Sequence, residues 1–297
     1  MRIALLNRHE GGRIGGDMIH LRGHQAGLIK LGYEVDYIYN PKADLCGYDE
    51  VWIYHLNFRW AHAHWRNCIK YNKPYRVVSI FYPELKGVGW QAMRRVVEGA
   101  ICVYCASNAE KLDIVELLNP DCKIRVVPCG LDKMIFTHKG PKVDTEPFVL
   151  SVARFEEYKG HHRVLEACKE LNLPVVAIGP YSSMQYVNRC KKINPDALII
   201  GELSQEELTA YYRRAKVFVC ASTNDRFNMC ITEAVQCGAR VITSKQNRGN
   251  EWFVNAPIVD PDNQTELQSA ISKEWALYPE LQGIKVWSWN EVVDSML

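Results

Sequence analysis

Two stretches of this sequence carry side chains spaced so that they could handle phosphates and hydroxyls. In SVARFEEYKG (151–160), Arg154 and Lys159 stand five residues apart on a loop that follows a strand-like run. A planar guanidinium fork and a compact ammonium on one loop could clamp a diphosphate and stabilise it as it leaves; the same pair also reads as solvated charge in an ordinary loop. In STNDRFNMCITEAVQCGARVITS (222–244), Asp225 and Glu233 lie on either side of a helix start. Carboxylates there could accept hydrogen bonds from sugar and ribose hydroxyls, and the unpaired N–H groups near Asn228 and Met229 suit phosphate oxygens.

Other candidates are weaker. Cys102 and Cys105 have CxxC spacing but sit in an apolar, strand-like run with no second pair at a zinc-site distance, so neither a metal nor a redox role is expected. His20 and His24 share a helix face without a third ligand and read as solvated or capped histidines. The stretch 57–76 interleaves Arg59, Arg66, Lys70, Lys73 and Arg76 with Phe58, Trp60, Trp65, Tyr71 and Tyr75 and contains no acid. Such a stretch could meet DNA or RNA through phosphates and stacked bases, dock on an anionic membrane, or be a helix with core aromatics and solvated cations. A net charge of +2 excludes a strongly basic nucleic-acid binder without excluding a local patch. No apolar run approaches the roughly 18 residues that span a bilayer, and the chain reads as cytoplasmic, with its cysteines as reduced, buried thiols.

These residues need rigid elements behind them, and the pattern supplies them twice. A buried strand over 2–7, a glycine-rich loop ending in Gly15 and Gly16, and a helix with Met18, Leu21, Leu28 and Leu31 on one side form a β-loop-α unit. Strands follow over 35–39, 51–55, 76–81, 101–106 and 124–127, and Ser107 with Glu110 predicts a capping box. The polar run 136–146 suits an interdomain linker. A second series has strands over 148–152, 175–178, 198–200, 217–220 and 240–243, with a further capping box at Ser204 and Glu207. Strands alternating with helices imply parallel sheets, and the expected fold is α/β, with two doubly wound domains.

Beyond these local readings, the ordered motifs GGDMIHLRG (15–23), VVPCGLD (126–132), SVARFEEYKG, IIGELSQEEL (199–208), the 222–244 segment, GNEWF (249–253) and SWNEV (288–292) resemble the retaining family-four, or group 1, glycosyltransferases over almost the whole chain. That resemblance implies a GT-B architecture: an acceptor-side Rossmann-like domain over 1–140, a nucleotide-sugar-binding domain over 141–280 facing it across a cleft, and a helix over 281–297, containing Trp289, that crosses back. It also implies a retaining, metal-independent hexosyl transfer from an NDP-sugar, a UDP-sugar favoured, with no further cofactor. Arg154 and Lys159 would hold the diphosphate, Glu233 the ribose and Asp225 the sugar hydroxyls. Gly15 and Gly16 would lie beside the donor, and the backbone at Glu202 and Leu203 would meet the base. The sequence departs from the family pattern at three places. Asp225 stands where Glu is usual. Asn228 stands where Gly is usual, a residue type that tolerates positive φ. Phe81 or Tyr82 stands where a His often adjoins the sugar, and His55, one strand earlier, is the candidate substitute. The family's acceptors are glycans, lipids and small molecules. The short first domain also resembles some phage-encoded members, for which a modified DNA base is an acceptor, with Arg59, Trp60, Trp65, Arg66, Lys70 and Tyr82 as the acceptor-side candidates. A nucleotide-sugar or nucleic-acid binding module without turnover is the remaining alternative.

Overall fold

A computed structural model of the protein describes residues 1–9, 15–85 and 87–297; residues 10–14 of the expected glycine-rich loop lie outside the described residues. The chain forms two compact units, residues 1–130 with 287–297 and residues 131–286. The first contains β1 (Arg2–Leu6), α1 (Gly16–Lys30), β2 (Glu34–Ile38), β3 (Glu50–Tyr54), α2 (Arg59–Lys70), β4 (Tyr75–Val78), α3 (Trp90–Glu98), β5 (Val103–Cys105), α4 (Asn108–Leu118) and β6 (Ile124–Val126). The second contains β7 (Val149–Val152), α5 (His161–Glu170), β8 (Val175–Ile178), α6 (Met184–Ile193), β9 (Leu198–Ile200), α7 (Gln205–Arg214), β10 (Val217–Val219), α8 (Met229–Gln236), β11 (Arg240–Ser244), β12 (Ile258–Val259) and α9 (Gln264–Leu277). The chain then returns to the first unit as α10 (Trp289–Met296).

Each unit is built on a six-stranded sheet in which every pairing is parallel, ordered β2-β1-β3-β4-β5-β6 and β12-β11-β10-β7-β8-β9. Helices cover both faces of such sheets, which is why β3, β7, β8 and β10 are buried along their length and read as near-continuous apolar runs. The polar stretch expected as a linker packs onto the second unit instead. Phe136 is buried in that unit's core, and Arg213 Nε on α7 donates to Thr137 O at 2.7 Å. Ser204 and Glu207 form the expected full capping box at the start of α7. Ser107 caps α4 through Glu110 N, but the Glu110 carboxylate turns inward to Ser79 Oγ at 2.6 Å and Phe81 N at 2.7 Å. Burial of that side chain makes the β4–α4 crossing its better partner. His24, expected to be solvated or capped, is buried and contacts the Tyr54 hydroxyl at 2.9 Å.

The return of α10 depends on glycine. A Cβ on Gly23 would lie 2.1 Å from the Trp289 ring, and one on Gly130 would lie 2.5 Å from it, so the indole occupies space that any other residue would fill. Replacing Gly23 with Ala therefore overpacks this contact and should lower the unfolding free energy by about 1–3 kcal/mol, read as a shift of the urea midpoint. A variant as stable as the parent would show that Trp289 does not pack as described.

Candidate functional site

In the second unit the strand order reverses between β7 and β10, which pair directly. Ligands of open parallel sheets bind beyond the carboxyl ends of the strands at such a switch point, where two successive loops diverge and leave a crevice. The loop after β7 carries Arg154 and Lys159, and the loop after β10 carries Asp225 and runs into α8. Parallel pairing thus brings together side chains 66 residues apart.

Lys159 Nζ donates to Asp225 Oδ1, with the Lys and Asp side chains only 15% and 9% exposed. Burial alone would lower the lysine pKa; the Asp225 carboxylate and neighbouring groups outweigh it and hold the ammonium above its usual value, so it stays charged. Gly160, at φ +78°, lets the loop turn at this point, and a Cβ there would lie 2.1 Å from Ala221 O. Arg154 is exposed, with Nη2 2.7 Å from the Tyr158 hydroxyl and Nη1 2.8 Å from Glu156 Oε1. Tyr158 carries no charge and was not singled out in the sequence. Its hydroxyl orients the Arg154 fork, the Lys159 ammonium lies 5.1 Å from its ring centroid, and its carbonyl accepts Thr223 N at 2.8 Å.

Asn228 is in extended backbone at φ −89°, which corrects the expectation that this position needs left-handed tolerance. It is the N-cap of α8: Oδ1 accepts Cys230 N at 3.0 Å, while Nδ2 donates to Asp225 Oδ2 at 3.0 Å. The Met229 N–H has no acceptor among the described residues and remains available to an anion at the helix start. Glu233, on α8, is buried and accepts the Tyr212 hydroxyl at 2.7 Å. Glu202 is exposed and Leu203 half-buried on the turn between β9 and α7, where Leu203 packs on the core. Among the described residues, no three His, Cys, Asp or Glu side chains gather as a metal would require.

The first unit has its own switch point, between β1 and β3. Asp17 in the first turn of α1 is 8% exposed at its side chain and is held by Arg8 at 2.7 and 2.9 Å. Burial pushes the Asp17 pKa upward, but the Arg8 hydrogen bonds and the nearby charges prevail and hold it below the usual carboxylate range. Neither residue was picked out in the sequence; an acid directly after a Gly-Gly pair at a helix start was the available signal. His55 follows β3 at φ +68° and is buried, with Nε2 3.9 Å from Asp17 Oδ2. Its Nδ1 lies 3.2 Å from Ile80 O, a group that only accepts, so Nδ1 carries the proton and Nε2 presents a lone pair. Burial drives the imidazole down to about 4, against the opposing pull of Asp17 and the Ile80 carbonyl, and it is neutral at pH 7. Gly15 caps α1 where a Cβ would meet Asp17 Oδ1 at 2.6 Å, whereas the space beside Gly16 is open.

Two acceptor-side expectations are corrected. Phe81 is wholly buried and cannot stand at a ligand surface; the Tyr82 backbone is clamped by Asn57, whose Oδ1 accepts Tyr82 N at 2.9 Å and whose Nδ2 donates to Tyr82 O at 2.8 Å. Arg59, Arg66 and Lys70 are exposed along one stripe of α2, but Trp60 and Trp65 pack against the core, with Trp65 Nε1 donating to the Tyr75 hydroxyl at 3.1 Å. Both rings are half-buried against the core rather than free, so the helix offers bases less of a stacking platform than its composition suggests. No helix among the described residues is long and apolar enough to cross a membrane.

Residues 132–276 match the family model of glycosyl transferases group 1. The match takes in the loop after β7, the loop after β10 and α8. Among curated relatives, the chain is 25% identical over 173 residues to D-inositol 3-phosphate glycosyltransferase of Pseudarthrobacter chlorophenolicus, covering 51% of this chain and 41% of that protein. It is 22% identical over 195 residues to O-antigen chain mannosyltransferase C of Escherichia coli, covering 61% and 53%. The chain spans about half the length of the curated relatives it matches. Sucrose-phosphate synthase from Thermosynechococcus elongatus superposes with a TM-score of 0.82 at 18% identity, over 100% of this chain and 97% of that one. HepE of Anabaena, solved with UDP and glucose, gives a TM-score of 0.75 at 15% identity, over 99% and 97%. These likenesses give the fold as GT-B, in agreement with the resemblance found in the sequence.

The environment of Glu233 sets a pH dependence for the second unit. Burial raises its pKa to about 7, while hydrogen bonds from Tyr212 and Cys230 pull it down. A carboxyl raised in the folded state adds stability that is fully present below its unfolded pKa of roughly 4.5 and is lost as pH rises through about 7. The loss over that window is on the order of 3 kcal/mol, and Glu233→Gln should remove it, flattening stability against pH in denaturant titrations. An unchanged slope in the variant would mean that Glu233 is ionised throughout.

Proposed function

We propose that this chain transfers a hexose from a nucleoside diphosphate sugar, with a UDP-sugar favoured, to a hydroxyl of a glycan, lipid or small molecule. Transfer retains the anomeric configuration and needs no metal ion. The observation that carries this reading is the fixed cation at the reversal of the β7–β10 sheet, beside the unpaired Met229 N–H of α8 and within the segment that matches the group 1 family. HepE, solved with UDP and with UDP-glucose, favours uridine as the base.

In this scheme Lys159 and Arg154 neutralise the diphosphate and stabilise the charge that grows on it as the glycosidic bond breaks, the role a metal ion fills elsewhere. Met229 N–H meets a phosphate oxygen, Glu233 accepts from the ribose, and the backbone at Glu202 and Leu203 receives the base. Asp225 sets Lys159 and lies at the sugar hydroxyls. The departing phosphate takes the acceptor proton, so no protein nucleophile is required. The half-buried rings of α2, packed against the core, favour a carbohydrate or lipid hydroxyl over a nucleobase.

Calorimetric titration with UDP-glucose, UDP-N-acetylglucosamine and GDP-mannose, in EDTA, tests the donor assignment. Selective binding to one of them, followed by slow hydrolysis of that donor, is expected. Arg154→Ala, at an exposed position, and Lys159→Ala should each weaken binding about tenfold or more, since a charge-assisted contact is worth roughly 1.5–3 kcal/mol. Parental affinity in both variants, with thermal midpoints confirming folded protein, would sink the clamp.

A further inference from the structure

Asp225 and Asn228 differ from the pattern of the family that the sequence resembles, and the structure shows the two departures touching. Asp225 is one methylene shorter than the usual Glu, and Asn228 fills space left empty by the usual Gly. Its Nδ2 lies 3.0 Å from Asp225 Oδ2 and 3.1 Å from Cys220 Sγ, and its Oδ1 lies 3.0 Å from Cys230 N. The amide is thus engaged at both ends, and only one orientation satisfies a carboxylate on one side and an N–H on the other. Its residue is 7% exposed. Of the two Asp225 oxygens, Oδ1 receives Lys159, and Oδ2 receives Asn228 with the Cys220 thiol 3.9 Å away.

We propose that Asn228 is a positioning residue for the donor subsite, fixing Asp225 Oδ2 through its side-chain amide and, through Asp225, the Lys159 ammonium that receives the diphosphate. This rests on the donor reading above. The long carboxylate of the family is replaced by a short carboxylate plus a neutral donor that reaches it, and the helix cap and the ion pair become one hydrogen-bonded unit. Neither member then moves without the other. The Cys220 thiol beneath them is pushed by burial up to about 12 and stays neutral, so the unit holds no second anion.

Capping and positioning separate in one substitution. Asn228→Asp keeps a good N-cap for α8 but replaces the Nδ2 donor with a second carboxylate beside Asp225. Two carboxylates at that distance share a proton only at low pH, where the shared proton restores a donor to Oδ2. The dissociation constant for UDP-glucose, expressed as the ratio of variant to parent, should be about tenfold or more at pH 8 and fall toward one by pH 5.5. Asn228→Ser, which keeps a cap without the amide donor, should show a raised ratio that does not vary with pH. A ratio near one for both variants at every pH would leave Asn228 a helix cap alone and overturn the proposal. Absence of UDP-glucose binding by the parent would remove the donor reading instead, and the contact is then read without ligand. The shared proton raises a folded-state pKa, so the thermal midpoint of Asn228→Asp relative to parent should fall as pH rises from 5.5 to 8. A difference that is constant over this range would equally overturn the proposal.

Discussion

The contact between Lys159 and Asp225 ties together the two loops that a parallel sheet throws apart where its strand order reverses. An ammonium removed from water is costly unless a counter-charge comes with it, so the loop after β7 cannot bury Lys159 unless the loop after β10 presents Asp225. Much of the local geometry follows from that requirement. Gly160 gives the first loop its tight turn, Tyr158 braces Arg154 and takes the Thr223 N–H, and Arg248 N donates to Asp225 O at 2.9 Å, which holds the second loop from its far side. The start of α8 is then fixed as well, because its cap bonds to the same carboxylate.

Charge is treated differently a few residues away. Glu233 is as deeply buried as Asp225 but faces a hydroxyl and a thiol rather than a cation, and its proton is held to about neutral pH. The pair is therefore a fixed charge, whereas Glu233 is a group whose state a ligand could change by supplying donors. The first unit repeats the fixed-charge arrangement at its own reversal, with Arg8 on Asp17, and sets a neutral histidine beside it. Both sheets thus hold a buried carboxylate in an ion pair at their switch points rather than apolar packing, the choice expected where function and not stability shapes a position.

The parallel sheets were legible because β7, β8 and β10 are buried on both faces and must be apolar throughout, and Ser204 with Glu207 marked a helix start in purely local terms. Helices α3, α6 and α9 were not marked, since none combines a full capping box with a long regular stripe. Arg154, Lys159, Asp225 and Glu233 stood out by type and spacing, yet their partnership did not: a contact between residues 159 and 225 is created by strand order, which no local pattern encodes. The aromatic residues of 57–76 were ambiguous for the opposite reason. A helix with rings on one side and cations on the other looks the same whether the rings meet bases or a core, and only the packing of Trp60 and Trp65 separates the two.

The seating of Trp289 between Gly23 and Gly130 places the last step of the first unit at the far end of the chain. Residues 131–286 are continuous and can complete their core as soon as they are synthesised, but the first unit waits for α10 while more than half the polypeptide is made. On the ribosome, the order of completion is therefore the reverse of the order of translation. Until then the apolar groove over Met18, Leu21 and Leu28, which Val292, Val293 and Met296 finally cover, stays open to solvent and to any chaperone that recognises it.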